Sequence, residues 1–213
     1  MRVGIIDYGS GNIRSVFKSF EKAASLVSSE IQIKVIKNAN QLKDIEKVVL
    51  PGVGAFADCM EGLKNRPDLI ETLHIKVLEE KKPFLGICVG MQLLANSSSE
   101  HGYTKGLSWL DGKVDNIKIV KEDIKIPHMG WNSIIFDKEN SLLNNIKKGE
   151  DFYFVHSYQF NVKENNFVLA KTKYGADITA IVLKNNILGT QFHPEKSQRA
   201  GIQFIKNFLE WKP

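Results

Sequence analysis

The first half of the chain alternates short apolar runs with amphipathic stretches of helical period. The apolar runs cover residues 3–7, 31–36, 48–50 and 84–87, and the clearest helical patterns follow at 10–25, 55–63 and 89–95, with a short helix after 36. This alternation is typical of βαβ units that build a parallel sheet. Because the runs at 48–50 and 84–87 are apolar throughout, we expect these two strands to lie centrally, covered by helices on both faces.

The second half of the chain changes to one predicted strand after another. These strands cover residues 113–120, 131–136, 151–158, 167–172, 178–183 and 187–192. The polar triplet Lys184-Asn185-Asn186 predicts a hairpin between the last two strands, so we expect an antiparallel section beside the parallel one. The serine-containing segment 96–105 is predicted to be a mobile loop. An amphipathic helix is predicted at 198–211, with its apolar side formed by Ile202, Ile205, Phe208 and Leu209.

The composition narrows the class of protein. At 213 residues, with 43% hydrophobic and 25% charged positions, the chain has the size and balance of one globular domain spanning 1–213. The formal charge of +5 is carried by scattered lysines without a continuous basic run, so we expect no nucleic-acid partner. No apolar stretch reaches the roughly 18 residues of a membrane span, and two cysteines in unlike settings indicate a reducing compartment. We therefore expect a cytoplasmic protein without membrane contact.

Cys88 lies where an apolar strand runs into a glycine-flanked turn and a helix start. Gly86 and Gly90 let the chain reverse sharply, which lifts the thiol above the sheet edge toward the first amides of the next helix. Such amides favour a thiolate and any oxyanion beside it. The alternative is a small buried apolar residue, as a free cysteine near a strand end often is. Cys59, in the helical stretch 55–63, is predicted to be structural.

A reactive cysteine needs a base and a group that orients the base. His193 ends the apolar strand 187–192, and Glu195 follows across Pro194, where it can reach the far imidazole nitrogen and hold its tautomer. Cys88, His193 and Glu195 are therefore a candidate triad, with a surface histidine beside a surface glutamate as the alternative. The other histidines are predicted to face solvent (His74, His101) or to make structural hydrogen bonds at strand ends (His128, His156).

The segment Pro51-Gly52-Val53-Gly54 is a second glycine turn between a predicted strand and a helix. If the strands 48–50 and 84–87 are neighbours, this loop and Cys88 share the carboxyl edge of the sheet, where open α/β sheets bind ligands. Its amides are then candidates for an oxyanion hole. Phosphate binding is the alternative, although the third glycine of a dinucleotide fingerprint and the lysine of a P-loop are both missing.

Three motifs together resemble those of the class I, or triad, glutamine amidotransferases. They are Pro-Gly-Val-Gly at 51–54, Gly-Ile-Cys-Val-Gly-Met-Gln at 86–92 and Gln-Phe-His-Pro-Glu-Lys-Ser at 191–197. Within that family, the segments 7–16, 127–132 and 153–158 are similar to the glutaminase subunits of imidazole glycerol phosphate synthase. The resemblance implies a flavodoxin-like α/β fold: a mixed, mostly parallel sheet flanked by helices, with an antiparallel C-terminal section.

The resemblance also implies a reaction. Cys88 attacks the side-chain amide of L-glutamine, His193 protonates the departing ammonia and then activates water, and Glu195 orients His193. Neither a metal nor an organic cofactor is implied. The family places Gly52, Val53, Gly54 and the amide of Val89 at the oxyanion hole, and Gln92, Glu100 and Ser157 around the glutamine.

Members of this branch pass the ammonia to a separate (β/α)8-barrel cyclase subunit of histidine biosynthesis, with which they form a heterodimer. Asn12, Trp131 and Lys196 fall in segments that line the subunit interface in the family. We therefore expect a glutaminase with low activity alone, which rises when the synthase subunit binds its ligand. The 51–54 loop is the expected switch, because its glycines allow a peptide flip.

Two other functions agree with the same motifs. Paralogous subunits supply ammonia for the amidination of surface-polysaccharide sugars, with a similar triad and a similar barrel partner. A cysteine hydrolase or peptidase of the same fold would act alone. A non-catalytic binding module would lack a member of the triad, and none is missing from the sequence.

Overall fold

A seven-stranded sheet organises the computed structural model, which describes residues 1–118 and 124–213. In chain order the strands are β1 (Arg2–Ile6), β2 (Gln32–Ile36), β3 (Lys47–Gly52), β4 (Phe84–Cys88), β5 (Ser97–Ser98), β6 (Thr104–Lys105), β7 (Gly112–Asn116), β8 (His128–Ser133), β9 (Asp151–His156), β10 (Tyr158–Val162), β11 (Val168–Lys173), β12 (Asp177–Lys184) and β13 (Ile187–Thr190). The main sheet has the order β11-β12-β13-β4-β3-β1-β2. The strands from β13 to β2 run parallel, while β11 and β12 extend one edge in antiparallel fashion. The predicted mixed, mostly parallel sheet is confirmed.

The middle of the sheet is formed by the strands with the most apolar sequences. β3 and β4 are parallel neighbours, and every residue of both is buried. The expectation that strands 48–50 and 84–87 lie centrally is therefore confirmed, and the condition that they are neighbours is met. The predicted hairpin between β12 and β13 is also present, and its Asn185 has a φ of 54°, which asparagine tolerates in tight turns.

A second sheet, of order β10-β7-β5-β6, and the antiparallel pair β8-β9 complete the β structure of the described residues. The strand predicted at 151–158 is interrupted at Ser157, which separates β9 from β10. β7 ends at Asn116, and residues 119 and 120 of the strand predicted there lie outside the described residues. β8 begins at His128, earlier than predicted, because its pairing with β9 depends on backbone hydrogen bonds that polar residues also make.

The polar segment 96–105 was expected to be a loop, but it contributes β5 and β6 to the second sheet. The backbone explains the difference. The amide of Asn96 donates to the carbonyl of Gly112 at 3.0 Å, and the amide of Ser99 donates to that of Val114 at 3.0 Å. These bonds attach the segment to β7 whatever its side-chain polarity.

The α-helices are α1 (Ile13–Val27), α2 (Phe56–Lys64), α3 (Leu69–His74), α4 (Val89–Gln92) and α5 (Gln198–Glu210). α1 packs against α5, with the rings of Phe20 and Phe208 edge to face at 6.2 Å. α3 continues into a π-helical turn at Ile75–Glu79. Short 3-10 turns occupy Ala39–Leu42, Ser141–Leu143, Asn165–Phe167 and Pro194–Lys196. Within the described residues, no helix has both the length and the apolar character needed to cross a bilayer.

α4 is shorter than the helix predicted at 89–95. After Gln92 the chain tightens, because the amides of Leu94 and Ala95 bond to carbonyls three residues back, those of Met91 and Gln92, at 3.1 and 3.0 Å. The turn that follows Cys88 is therefore one helical turn and not a full helix.

Candidate active site

The carboxyl ends of the parallel strands bring three predicted segments to one edge of the sheet. Gly52 at the end of β3 is in register with Cys88 at the end of β4, and β4 is also paired in parallel with β13, which leads into His193. Residues more than a hundred positions apart in sequence thus meet where open α/β sheets bind ligands. The expected common edge for the glycine loop and the cysteine is confirmed.

Cys88 occupies a strained turn. Its backbone has φ 54° and ψ −112°, a conformation that an L-residue rarely adopts, and its side chain is buried beside the first turn of α4. Gly86 and Gly90 make the turn possible, since a Cβ on Gly86 would lie 2.5 Å from the carbonyl oxygen of Gly90, and one on Gly90 would collide with the carbonyl of Leu50. The sharp reversal predicted from these glycines is confirmed, and it presents the sulfur at the N-terminus of a helical turn.

His193 and Glu195 form a buried pair. The Nδ1 atom of His193 lies 2.8 Å from Oε1 of Glu195, and the two side chains are only 2% and 1% exposed. The surface-pair alternative for these residues is therefore wrong. Because the carboxylate accepts the Nδ1 hydrogen, the other nitrogen, Nε2, is the one that can exchange a proton with the cavity, and among the described residues it has no hydrogen-bond partner.

The charge of His193 follows from its neighbours. Burial lowers the pKa of His193, but the Cys88 sulfur and the Glu195 carboxylate raise it more strongly, to about 10. A thiolate at Cys88 and an imidazolium at His193 thus stabilise each other. Such a pair supplies a nucleophile and a proton donor in the same site.

A cavity of about 670 Å³ opens above these residues. Its lining includes Cys88, His193, Gln92, Glu100, Ser157 and Lys196. The three side chains expected around a substrate thus face the same space as the nucleophile and the base. The volume is that of a pocket for a small molecule.

Gln92 and Glu100 are both held by hydrogen bonds within the protein. The Nε2 atom of Gln92 donates to the carbonyl of Tyr158 at 3.1 Å and to Oε1 of Gln191 at 3.0 Å, so only its oxygen is left for a ligand. Oε2 of Glu100 accepts from the amide of Phe56 at 2.7 Å, at the positive N-terminus of α2. The site can therefore offer an acceptor and a negative charge to a cationic group.

The glycine loop that follows β3 contributes Val53 and Gly54 to the cavity lining, and α4 contributes Val89. Gly54 has a φ of 88°, which favours glycine, and Gly52 packs so closely on the cysteine turn that a Cβ would lie 2.7 Å from the amide nitrogen of Gly90. The Val53 carbonyl accepts from Oγ of Ser10 at 2.6 Å. The amide of Val53 also faces Oγ of Ser10, at 3.5 Å, so in this conformation Ser10 holds the loop from behind and the Val53 N–H is directed at Ser10 and not at Cys88.

Cys59 supports the loop from the same side. Its sulfur donates to the Val53 carbonyl at 3.4 Å and lies 3.2 Å from Oγ of Ser10, and its side chain is fully buried. The structural role predicted for Cys59 is confirmed. Ser10 carried no predicted role, because nothing in its sequence surroundings indicates a contact with a loop 43 residues away.

The three residues predicted at a subunit interface are all exposed. Trp131 is 47% exposed, its ring lies edge to face with Tyr153 at 6.1 Å, and Nζ of Lys196 lies 5.7 Å from the same tyrosine ring. Asn12 caps α1, since its Oδ1 accepts from the amide of Ser15. Lys196 also lines the cavity, so the exposed aromatic group adjoins the candidate active site.

The remaining histidines lie as predicted. His74 and His101 are exposed, whereas His128 and His156 are buried and hydrogen-bonded to each other at 2.9 Å. In the described part of the chain, no group of three or more His, Cys, Asp or Glu side chains could hold a metal ion.

Comparison with known proteins agrees with this geometry. The family "Glutamine amidotransferase class-I" matches residues 4–211. The chain is 47% identical to an imidazole glycerol phosphate synthase subunit HisH from Rhodopseudomonas palustris and to another from Brucella melitensis, each over 216 aligned residues that cover 100% of both chains.

Solved structures agree at the level of the fold. A crystal structure of a glutamine amidotransferase superposes with a TM-score of 0.72 at 18% identity, covering 98% of this chain and 97% of the other. Another, of a glutamine amidotransferase from Thermotoga maritima, gives 0.61 at 20% identity, covering 99% and 83%.

Proposed function

The chain belongs to the class-I glutamine amidotransferase family. We infer that, within this family, it is the glutaminase subunit of an imidazole glycerol phosphate synthase. Two relatives named as subunit HisH of this synthase match the chain from end to end at 47% identity. The alternatives, a subunit for sugar amidination and a hydrolase that acts alone, are not favoured by these matches. The activity is the hydrolysis of glutamine to glutamate and ammonia.

The observation that supports the chemistry best is the meeting of Cys88 with the buried His193–Glu195 pair in one cavity. We propose that the Cys88 thiolate attacks the side-chain carbonyl carbon of glutamine, and that the oxyanion forms beside the amide of Val89 and the loop at Gly52, Val53 and Gly54. The imidazolium of His193 then gives its Nε2 proton to the departing nitrogen. The C–N bond breaks, ammonia leaves, and a γ-glutamyl thioester remains on Cys88.

The second half of the cycle uses the same groups in reverse. Neutral His193 takes a proton from water, the hydroxide attacks the thioester carbonyl, and the C–S bond breaks to release glutamate and the thiolate. Glu195 keeps the tautomer of His193 throughout. For substrate binding, Glu100 suits the ammonium group of glutamine, with Gln92 and Ser157 lining the same space.

As a synthase subunit, the chain works with a second subunit, and we propose that this partner is a (β/α)8-barrel cyclase that receives the ammonia. The exposed Trp131, its neighbour Tyr153 and the cavity-lining Lys196 support a docking surface at the mouth of the site. Asn12, exposed at the N-terminus of α1, is proposed to belong to the same interface. The loop at 51–54 is the proposed switch, since Gly54 already has a positive φ and a peptide flip there costs little.

We also propose a cytoplasmic location. Both cysteines are free, and a reactive thiol such as Cys88 persists best in a reducing compartment.

Release of glutamate from glutamine tests this function, measured for the chain alone and with its cognate barrel subunit, in the presence and absence of the nucleotide substrate of the synthase. We expect slow release alone and strong stimulation by partner plus nucleotide. Cys88→Ala should lower the rate of glutamate release by at least about a thousandfold, both with and without the partner. Cys59→Ser keeps a donor to Val53, so its rate should stay within about threefold of wild type. A lack of stimulation would contradict the synthase assignment, and full activity of Cys88→Ala would contradict the mechanism.

A further inference from the structure

A hydrogen-bond donor from outside the triad lies beside the catalytic sulfur. Nε2 of Gln191 lies 3.7 Å from Sγ of Cys88, within the range of N–H···S hydrogen bonds. Gln191 directly follows β13 by sequence, is 0% exposed, and is two residues before His193. The donor therefore sits inside the protein, on the side of the sulfur formed by β13 and not by the cavity.

The orientation of the Gln191 amide is set by its neighbours. The carbonyl of Tyr158 can only accept, so Gln92 must turn its nitrogen toward it, and the same nitrogen faces Gln191 at 3.0 Å. Gln191 must then present its oxygen to Gln92. Its own nitrogen is thereby directed at Cys88, since a flipped amide would place two donors face to face.

The Tyr158 carbonyl is fixed in turn by a second donor. Nδ1 of His156 lies 2.8 Å from it, so Nε2 of His156 is an acceptor, and Nδ1 of His128 donates to that atom at 2.9 Å. Nδ2 of Asn132 supplies the hydrogen to Nε2 of His128 at 3.1 Å. Both rings are neutral, because burial lowers the pKa of His128 to about 4 and that of His156 to about 3. One continuous run of hydrogen bonds thus leads from Asn132 on β8 to the sulfur.

We propose that Gln191 is a catalytic residue whose Nε2–H donates to the Cys88 thiolate, with its amide oriented by Gln92. The proposal rests on the glutaminase function inferred above. A hydrogen bond to the charged form of a group stabilises that form. The donor therefore favours the thiolate that attacks glutamine and the same thiolate when it leaves the thioester, while the neutral sulfur of the thioester accepts only weakly in between.

Two substitutions separate this role from a structural one. Gln191→Glu keeps the shape and replaces the donor by a carboxylate that faces the sulfur. Gln191→Leu keeps most of the volume and removes the donor without adding charge. Gln32→Glu, at an exposed position at the start of β2, is the matched control for the chemical change.

The readout is alkylation of Cys88 by iodoacetamide in the full chain at pH 7, followed by peptide mass spectrometry. The peptide that contains the buried Cys59 serves as an internal control, because an unfolded variant would expose it. We expect Cys88 alkylation to slow by about tenfold to a hundredfold in both Gln191 variants, as a lost hydrogen bond to a charged group predicts. Gln32→Glu should alkylate at the wild-type rate.

Steady-state glutamate release by the complex of the chain with its barrel subunit supplies the second measurement. A fall in kcat of similar size with KM changed by less than about twofold supports the proposal, because Gln191 does not line the cavity. A folded Gln191→Leu protein that alkylates within twofold of wild type overturns it. Should wild-type protein fail to release glutamate, the proposed function fails, while the alkylation result still decides the role of Gln191.

Discussion

His193 is charged because of two contacts that differ greatly in sequence separation. Glu195, two residues on, accepts from Nδ1 at 2.8 Å, and Cys88 contributes from the end of a neighbouring strand. Burial lowers the pKa of His193, but the two contacts together raise it to about 10. The proton that ammonia needs is therefore already in place when glutamine binds.

Glu195→Gln tests this origin of the charge. The amide cannot stabilise the imidazolium as the carboxylate does, so the pKa of His193 falls, and the wrong tautomer becomes accessible. We expect kcat to drop by about a hundredfold to ten-thousandfold. Because the proton donor is then lost at a lower pH, the alkaline limb of the profile of kcat against pH should move to lower pH. An alkaline limb that stays in place would show that Glu195 does not set the charge of His193.

One lysine fastens the last helix to the central sheet. Lys47 in β3 is only 5% exposed, and its Nζ donates to the carbonyls of Phe208, at 2.9 Å, and Trp211 at the C-terminal end of α5. Burial lowers the pKa of Lys47 to about 8, so the amine is still mostly charged at neutral pH. A cation there complements the negative end of the helix.

Lys47→Met should therefore destabilise the fold and spare the chemistry. The buried carbonyls lose their donor, and we expect the free energy of unfolding to fall by about 1–3 kcal/mol, as measured by urea unfolding. Lys34→Met, on the exposed side of β2, should change it by less than about 0.5 kcal/mol. Equal stability of the two variants would mean that the Lys47 contacts contribute nothing.

The pair of histidines that joins β8 to β9 makes the stability depend on pH. The folded protein keeps His128 and His156 neutral because burial lowers the pKa of each, to about 4 and about 3, whereas the unfolded chain protonates histidine near pH 6.5. The unfolded state thus binds more protons between these values. Stability is then lost as the pH falls below about 6.5.

Urea unfolding at pH 7.5 and pH 5 measures this loss. The two histidines together should account for about 2–4 kcal/mol of it, from about 1.4 kcal/mol per pH unit and group. His128→Phe retains a ring between Phe154 and Tyr174 and removes one of the titrating groups, so its loss should be smaller than that of wild type. His74→Gln, at an exposed position, should lose as much stability as wild type. If His128→Phe lost as much stability between pH 7.5 and pH 5 as wild type does, His128 would not be a source of the pH dependence.

The molecule as a whole places its exposed aromatic surface beside its reactive site. Trp131 and Tyr153 belong to the paired strands β8 and β9, and Lys196 connects them to the cavity. A partner that covers this surface would close the mouth of the cavity against water. The arrangement suits an enzyme whose product ammonia must pass to another subunit.

Trp131→Ala should separate binding of the partner from chemistry. A large, half-exposed aromatic residue is a frequent source of binding energy, so we expect the dissociation constant for the proposed barrel subunit to rise by about tenfold to a hundredfold. Glutamate release by the chain alone should not change. Leu26→Ala, which also trims an exposed apolar side chain, should bind the partner normally. An unchanged dissociation constant for Trp131→Ala would place the interface elsewhere.

Local patterns in the sequence were enough to predict the parallel strands, the cysteine turn and the His-Pro-Glu pair. Each depends on residues that are close along the chain: the period of a strand or helix, the close approach that glycine allows at Gly86 and Gly90, and the step from His193 to Glu195. The predictions that were wrong, the loop at 96–105 and the long helix after Cys88, concern segments whose structure depends on backbone hydrogen bonds to other parts of the chain or on tight turns.

Only the assembled sheet decided which distant groups meet. The register that places Gly52 opposite Cys88 and β13 beside β4 also brings Gln191 to the sulfur and Gln92 to Gln191. The contact of Ser10 with Val53 likewise joins segments that follow β1 and β3, and that of His128 with His156 comes from the register of β8 with β9. Amide and imidazole groups can donate or accept in several ways, so their roles follow from their neighbours in space and leave no short-range pattern in the sequence.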